Sequence, residues 1–147
     1  MSSTSLLFRV LNPVMRTVLK SPLHGMVSKQ ILVITFKGAK TGKEYSTPVS
    51  YFMEDSAVYC FTHGTWWRNL EAGAPVKLCL KGREREGFAE IEAEDLQEIA
   101  QKLQKMLSVV RSDATFYKVT FDEDGAPNWE QVQKAAAEAV MIRITLR

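Results

Sequence analysis

From Ile31 to Tyr51 the chain reads ILVITFKGAKTGKEYSTPVSY, and this stretch decides the fold. Ile31 to Phe36 is a near-continuous apolar and β-branched run, which suits a central strand. Lys37 to Lys43 then packs three lysines and two glycines into one short connection. Tyr45 to Met53 reads as the next strand, and Ala57 to His63 as a third, with Glu54-Asp55-Ser56 as the tight turn between them.

The same texture continues outward. Pro75 to Lys81 alternates, with Val76, Leu78 and Leu80 on one face and Lys77, Cys79 and Lys81 on the other. Gly87 to Ala93 sets Ala89, Ile91 and Ala93 against Phe88, Glu90 and Glu92, and Lys81-Gly82-Arg83 links the two strands. Arg83 and Arg85 interleave with Glu84 and Glu86, a self-neutralising surface strand. Between His63 and Pro75 a short helix is expected, with Thr65 as N-cap, Trp66 to Glu71 as its turns and Gly73 as its stop. Leu96, Ile99, Ala100, Leu103, Met106, Leu107 and Val110 recur at helical spacing. Asn128 with Gln131 resembles a capping box opening a helix through Ala139. Val140 to Leu146 closes as a strand with Ile142 and Ile144 inward and Arg143 and Thr145 outward. Short antiparallel strands at this spacing favour a small barrel, which removes exposed strand edges, over a parallel βαβ sheet.

Residues 4–28 read as a basic amphipathic helical segment, divided at Asn12-Pro13 and restarted at Ser21-Pro22. The simpler reading packs it over an opening in the sheet; the alternative is weak membrane-surface contact, which is marginal without a second anchor. No apolar run approaches the length of a membrane span.

With 147 residues, 46% of them hydrophobic, the chain makes one domain over residues 1–147 whose core needs no disulfide framework. Cys60 and Cys79 form neither a CxxC pair nor a zinc-ligand cluster, so no metal site is expected. A reducing cytoplasm fits this cysteine usage and an N-terminus in which Arg9 interrupts Leu6-Leu7-Phe8. A net charge of +2 argues against a dedicated nucleic-acid binder.

Two stretches carry candidate chemistry. In Lys37 to Lys43, glycines let the backbone turn and approach a ligand, Thr41 supplies a hydroxyl and the lysines supply charge, so the loop suits an anion. It also reads as an ordinary solvated hairpin. It is not a P-loop, because the GxxxxGK[ST] spacing is absent and a strand follows. In His63-Gly64-Thr65-Trp66-Trp67-Arg68-Asn69-Leu70, Gly64 and Thr65 precede a helix N-terminus that would attract an anion. One tryptophan can line a cavity for a planar heterocycle while the other, Trp67, anchors the core. Arg68 has two readings, a ligand contact or a pairing with Glu71, and His63 is a candidate proton donor or a bystander. No GxSxG, HExxH or GxGxxG motif is present.

Thr35 to Lys43 followed by Thr47-Pro48-Val49-Ser50-Tyr51 resembles the G-R-K-[ST]-G…P-V-x-Y signature of the deazaflavin-dependent nitroreductase family. Trp66-Trp67-Arg68-Asn69-Leu70 with Gly73-Ala74-Pro75-Val76 resembles its second signature, W-x-x-N-L before a Gly/Ala-Pro-x-V strand. Ala39 stands where the family's loop carries arginine. The resemblance implies the fold of the flavin/deazaflavin oxidoreductase superfamily. This is an α+β, mainly β, split β-barrel of the FMN-binding and pyridoxamine-phosphate-oxidase-like kind, with about six antiparallel strands and flanking helices. It also implies coenzyme F-420 as cofactor, an 8-hydroxy-5-deazaflavin with a phosphate and an oligoglutamate tail, and a homodimer as one assembly. By position, Lys40, Thr41 and the backbone at Gly42 would hold the phosphate, with Lys37 and Lys43 lending charge. Trp66, Gly64, Thr65 and Arg68 would line the ring site, with Pro48 and Ser50 on the strand beneath.

The implied reaction is hydride transfer to an electron-poor small molecule such as a quinone, enone or nitro compound, with His63 and Ser50 as candidate catalytic donors. Two other classes compete. One is an FMN- or haem-binding split barrel, or a cofactor carrier without turnover. The other is a nucleic-acid module using Lys37, Lys40, Lys43, Trp66 and Arg68.

Overall fold

In the computed structural model of the chain the described residues are 31–147, so the expected N-terminal helical segment and its surface contact lie outside them. Strand β1 (Ile31–Lys37) runs antiparallel to β2 (Glu44–Glu54), from Ile31↔Ser50 to Lys37↔Glu44. β2 turns into β3 (Ala57–Thr62) at Asp55 and Ser56, both with positive φ, 53° and 66°, the left-handed pair that matches the twist of a two-residue hairpin. A short 3-10 turn (Trp66–Leu70) leads to β4 (Ala74–Leu80) and β5 (Arg83–Glu92), joined by a second left-handed pair at Lys81 and Gly82. Helix α1 (Leu96–Val109), a 3-10 turn (Arg111–Ala114) and helix α2 (Trp129–Ala136) precede β6 (Val140–Leu146). The six strands close as β1-β2-β3-β6-β5-β4, the antiparallel barrel with flanking helices that the sequence suggested.

Alternation along the strands builds two cores. Inward residues, among them Leu32, Ile34, Phe36, Tyr51, Val58, Cys60, Leu78, Ile142 and Ile144, fill the barrel. Outward Phe52, Tyr59, Phe61 and Met141 are covered by Ile99, Leu103, Met106 and Leu107 of α1 and Val132 and Ala136 of α2. A shift of one residue in β3 would exchange these two sets, so both cores pin its register. Leu103, with no exposed surface, sits where helix and sheet meet.

The seam between β1 and β4 is short, with Val33↔Cys79, Ile34↔Leu78 and Thr35↔Lys77 as its pairs. Beyond it the strands part around a hollow of about 420 Å3 lined by Phe36, Lys37, Glu44 and Ala74 to Lys77.

Several boundaries differ from expectation for local reasons. β5 begins at Arg83, not Gly87, because Leu80↔Arg83 to Lys77↔Glu86 all pair across the hairpin. Those four residues are all exposed, so no apolar pattern announces them. His63 falls just past β3. Helix α2 ends at Ala136, where Glu138 N–H and Ala139 N–H donate three residues back and tighten the chain into β6. Only half a capping box forms there. Asn128 Oδ1 accepts from Gln131 N–H at 3.0 Å, but the Gln131 side chain accepts from Thr120 instead of reaching back.

Candidate functional site

The Lys37–Lys43 connection folds as a closed unit. Gly38 N–H donates to Lys43 O at 2.7 Å, and Gly42 N–H to Gly38 O at 2.8 Å, with Gly42 at φ +71°. That left-handed position favours glycine. Thr41 Oγ1 accepts from Lys43 N–H at 3.3 Å, which leaves the hydroxyl proton free to donate outward. Lys40, Thr41 and Lys43 are exposed, so their charge and hydroxyl face solvent or a ligand.

The Trp66–Leu70 turn is the facing unit. Leu70 is fully buried and anchors it in the barrel. The Trp66 indole stacks on Phe36, with centroids 5.2 Å apart at 24°, so an interior residue of β1 backs it. Trp67 is half-buried against the barrel core with the Arg68 guanidinium over its ring at 5.2 Å, so Arg68 leans on a tryptophan where a pairing with Glu71 was one expectation. Thr65 occupies the N-cap position without a side-chain cap bond, a correction to its expected role. The Gly64 amide is also already used, donating to Thr62 Oγ1 at 3.0 Å. At five residues, the turn sums too few peptide dipoles to hold an anion by its N-terminus.

These two units border one cleft of about 1010 Å3. Its lining includes Lys40, Thr41, Pro48, Ser50, His63, Gly64, Thr65, Trp66 and Arg68. Lys37 is not among them: it lines the hollow at the β1–β4 split. Gly42 and Lys43 are also outside the cleft lining. Asn69, itself in the turn, joins the two units by accepting from Ala39 N–H at 2.9 Å, while its NH2 donates to Trp66 O within the turn at 2.8 Å.

Three lining residues were given no role from sequence. Phe116, 70% exposed, and Tyr117 meet His63 in an aromatic wall, with His63 centroids 5.4 Å from Phe116 and 5.1 Å from Tyr117. Phe116 and Tyr117 are themselves edge-to-face. Asp113 lines the same end. Burial first, then the Asp113 carboxylate, hold the Tyr117 hydroxyl well above the usual phenol range, so it stays a proton donor. An adjacent aromatic pair right after a helical stripe was the available signal, but nothing local says that it folds back onto His63.

The cleft therefore has a cationic, hydroxyl-bearing end, an indole, and an aromatic wall carrying ionisable groups. A flat ring bearing an anionic chain fits all three. Elsewhere, Glu92, Asp95 and Glu98 bring carboxylate oxygens within 4.8 Å of one another. Two of them are occupied locally: Asp95 caps α1 through Glu98 N–H, and Glu92 accepts from Glu94 N–H.

No helix among the described residues is long and apolar enough to cross a membrane. No protein-family model matches the chain. No curated protein matches it either. Solved structures do. A conserved hypothetical protein from Mycobacterium tuberculosis, Rv2991, is 14% identical over 92% of this chain and 79% of its own, at a TM-score of 0.56. Atu2129 from Agrobacterium tumefaciens, of unknown function, is 13% identical over 87% of this chain and 56% of its own, at 0.55. A reductase dependent on reduced F-420 is 16% identical over 81% of this chain and 95% of its own, at 0.49. At such identities the likeness to the first two is one of fold, and the fold they share with this chain is the split β-barrel with flanking helices.

Proposed function

We propose that this barrel is a reductase that binds a deazaflavin of the F-420 kind and passes its hydride to an electron-poor small molecule. The observation that carries the reading is the meeting of the Lys37–Lys43 loop and the Trp66 turn around one cleft, joined through Asn69. Segments 30 positions apart have no reason in the chain to share a pocket. A ring-and-tail ligand gives them one.

When bound, the reduced cofactor would supply the hydride. The protein's own part is to hold and to protonate. Lys40 and the Thr41 hydroxyl hold the phosphate as point charge and donor. Lys43, one step round the turn, lends charge to an extended tail. Trp66, stiffened by Phe36, offers the ring a platform, with Pro48 and Ser50 on the adjoining strand. The acceptor gains a hydride and one proton, and the proton comes from a side chain on the aromatic wall or β2. His63 and Ser50 are the assigned donors.

Titrating the purified apo-protein with F-420 and FMN side by side tests this. Saturable binding of the deazaflavin with Trp66 fluorescence quenching is the expected result. Tight binding of FMN alone would assign a flavin protein, and a Soret band on haem addition a haem binder. No binding of any of the three removes the proposal. His63→Ala should lower kcat with a quinone acceptor by about 100-fold while leaving cofactor affinity within about twofold. Unchanged turnover with every acceptor would take His63 out of the chemistry.

A further inference from the structure

Two preformed units and one carboxamide reaching from the turn to the loop suggest more than a site lining. The loop closes on itself through Gly38–Lys43 and Gly42–Gly38 bonds, and the turn closes through Arg68 N–H to Thr65 O at 3.1 Å and Gly73 N–H to Leu70 O at 2.8 Å. These backbone bonds close both units without the Asn69 side chain. Asn69 belongs to the turn: its NH2 donates to Trp66 O within that unit and holds the carboxamide in place, and its oxygen reaches across to the Ala39 amide of the loop. The Ala39 amide points out of its own turn, so Asn69 supplies the acceptor that the turn does not. We infer that Asn69 is a positioning residue, a clasp that fixes the separation between the cationic end and the indole of the cleft.

This rests on the proposed ring-and-tail ligand and adds a specific consequence to it. A ligand that touches both units binds as a linked pair, and its affinity exceeds that of its halves only while the two units stand at the matching distance. A ligand touching one unit is indifferent to that distance. Removing the clasp should therefore damage binding of the whole cofactor and spare its parts. A direct contact from Asn69 to ring or phosphate would damage the corresponding part as well.

The experiment compares wild type with Asn69→Ala against three probes: intact F-420, a 5-deazaflavin lacking phosphate and tail, and inorganic phosphate. The clasp predicts a loss of about tenfold for intact F-420, the scale of one lost hydrogen bond, with both partial probes within about twofold. An equal loss on either partial probe makes Asn69 a direct contact and overturns the proposal, as does unchanged binding of intact F-420. Amide hydrogen exchange supplies a readout that needs no ligand and can be made on wild type alone. The Ala39 amide should be protected although Ala39 is exposed, and Asn69→Ala or Asn69→Ser should remove that protection. An unprotected Ala39 amide in wild type ends the proposal. If wild type binds no deazaflavin yet protection is present and lost on substitution, the reductase reading falls and the clasp stands.

Discussion

Tyr117 shows how far a residue's chemistry depends on its surroundings. On a free chain its phenol would ionise near 10.0, but burial and the Asp113 carboxylate raise it, so the hydroxyl keeps its proton through that pH. As a further candidate donor beside His63 and Ser50, it should contribute no alkaline fall in turnover between about pH 8 and pH 10. Tyr117→Phe should lower kcat about tenfold or more with KM for the cofactor little changed, read from steady-state kinetics. A pure packing role would instead leave kcat intact and lower the melting temperature. The sequence marks Lys40, Thr41 and Trp66 by type and spacing, and the fold gathers them. It does not mark Tyr117, Phe116 or Asp113, because their relevance comes from a chain reversal that returns residues 113–117 to His63.

Between elements, the joint of α1 with the barrel carries charge as well as apolar surface. Glu54 at the end of β2 pairs with Lys102 and Lys105 of the helix. The Lys102 hydrogen bond first, then that of Lys105, hold its carboxyl below the usual 4.5. A depressed carboxylate pKa means that the stabilisation is present above the unfolded-state value and is lost as pH falls through the folded one. Glu54→Gln should therefore melt earlier than wild type at pH 7, and the difference should shrink as pH falls below 4.5 and through the depressed folded value. Persistent separation at acid pH would show that the effect is not ionic. Leu103→Ala, emptying a fully buried position in the same joint, should cost about 2–5 kcal/mol in urea unfolding. Strand β5 shows the limit of pattern reading at this scale: Arg83 to Glu86 are strand only because β4 lies beside them.

At the scale of the whole molecule, closure of the barrel sets two constraints. Gly87 faces β6 so closely that a Cβ there would lie 2.7 Å from Ile144 Cγ2 and 2.9 Å from Thr145 O. Gly87→Ala should thus destabilise the barrel more than a surface glycine such as Gly125, whose Cβ meets nothing within 4 Å, although Gly125→Ala carries strain of its own at φ +87°. The second constraint is alkaline. Cys60 lies wholly inside the barrel, where burial pushes its thiol from 9.0 up to about 12. Because the folded value is raised, its contribution is complete below pH 9, and stability falls as pH rises through the interval up to 12. Thermal melts from pH 8 to 11 should show that decline, and Cys60→Ala should flatten it. A decline of equal steepness in the variant would assign it to other groups.

Alternation of side chains and the placement of turns were set locally. Ile31 to Phe36, Ala57 to Thr62 and Val140 to Leu146 could satisfy their apolar faces only as strands, and the glycine-rich lysine loop could only connect. These are short-range preferences, written within a few neighbouring residues. What the tertiary structure alone decided is adjacency: which strand closes on which, where β1 and β4 part, that Asn69 reaches Ala39, and that an aromatic wall rises beside His63. Such contacts join residues tens of positions apart, and packing around a shared core selects them rather than any pattern within one segment.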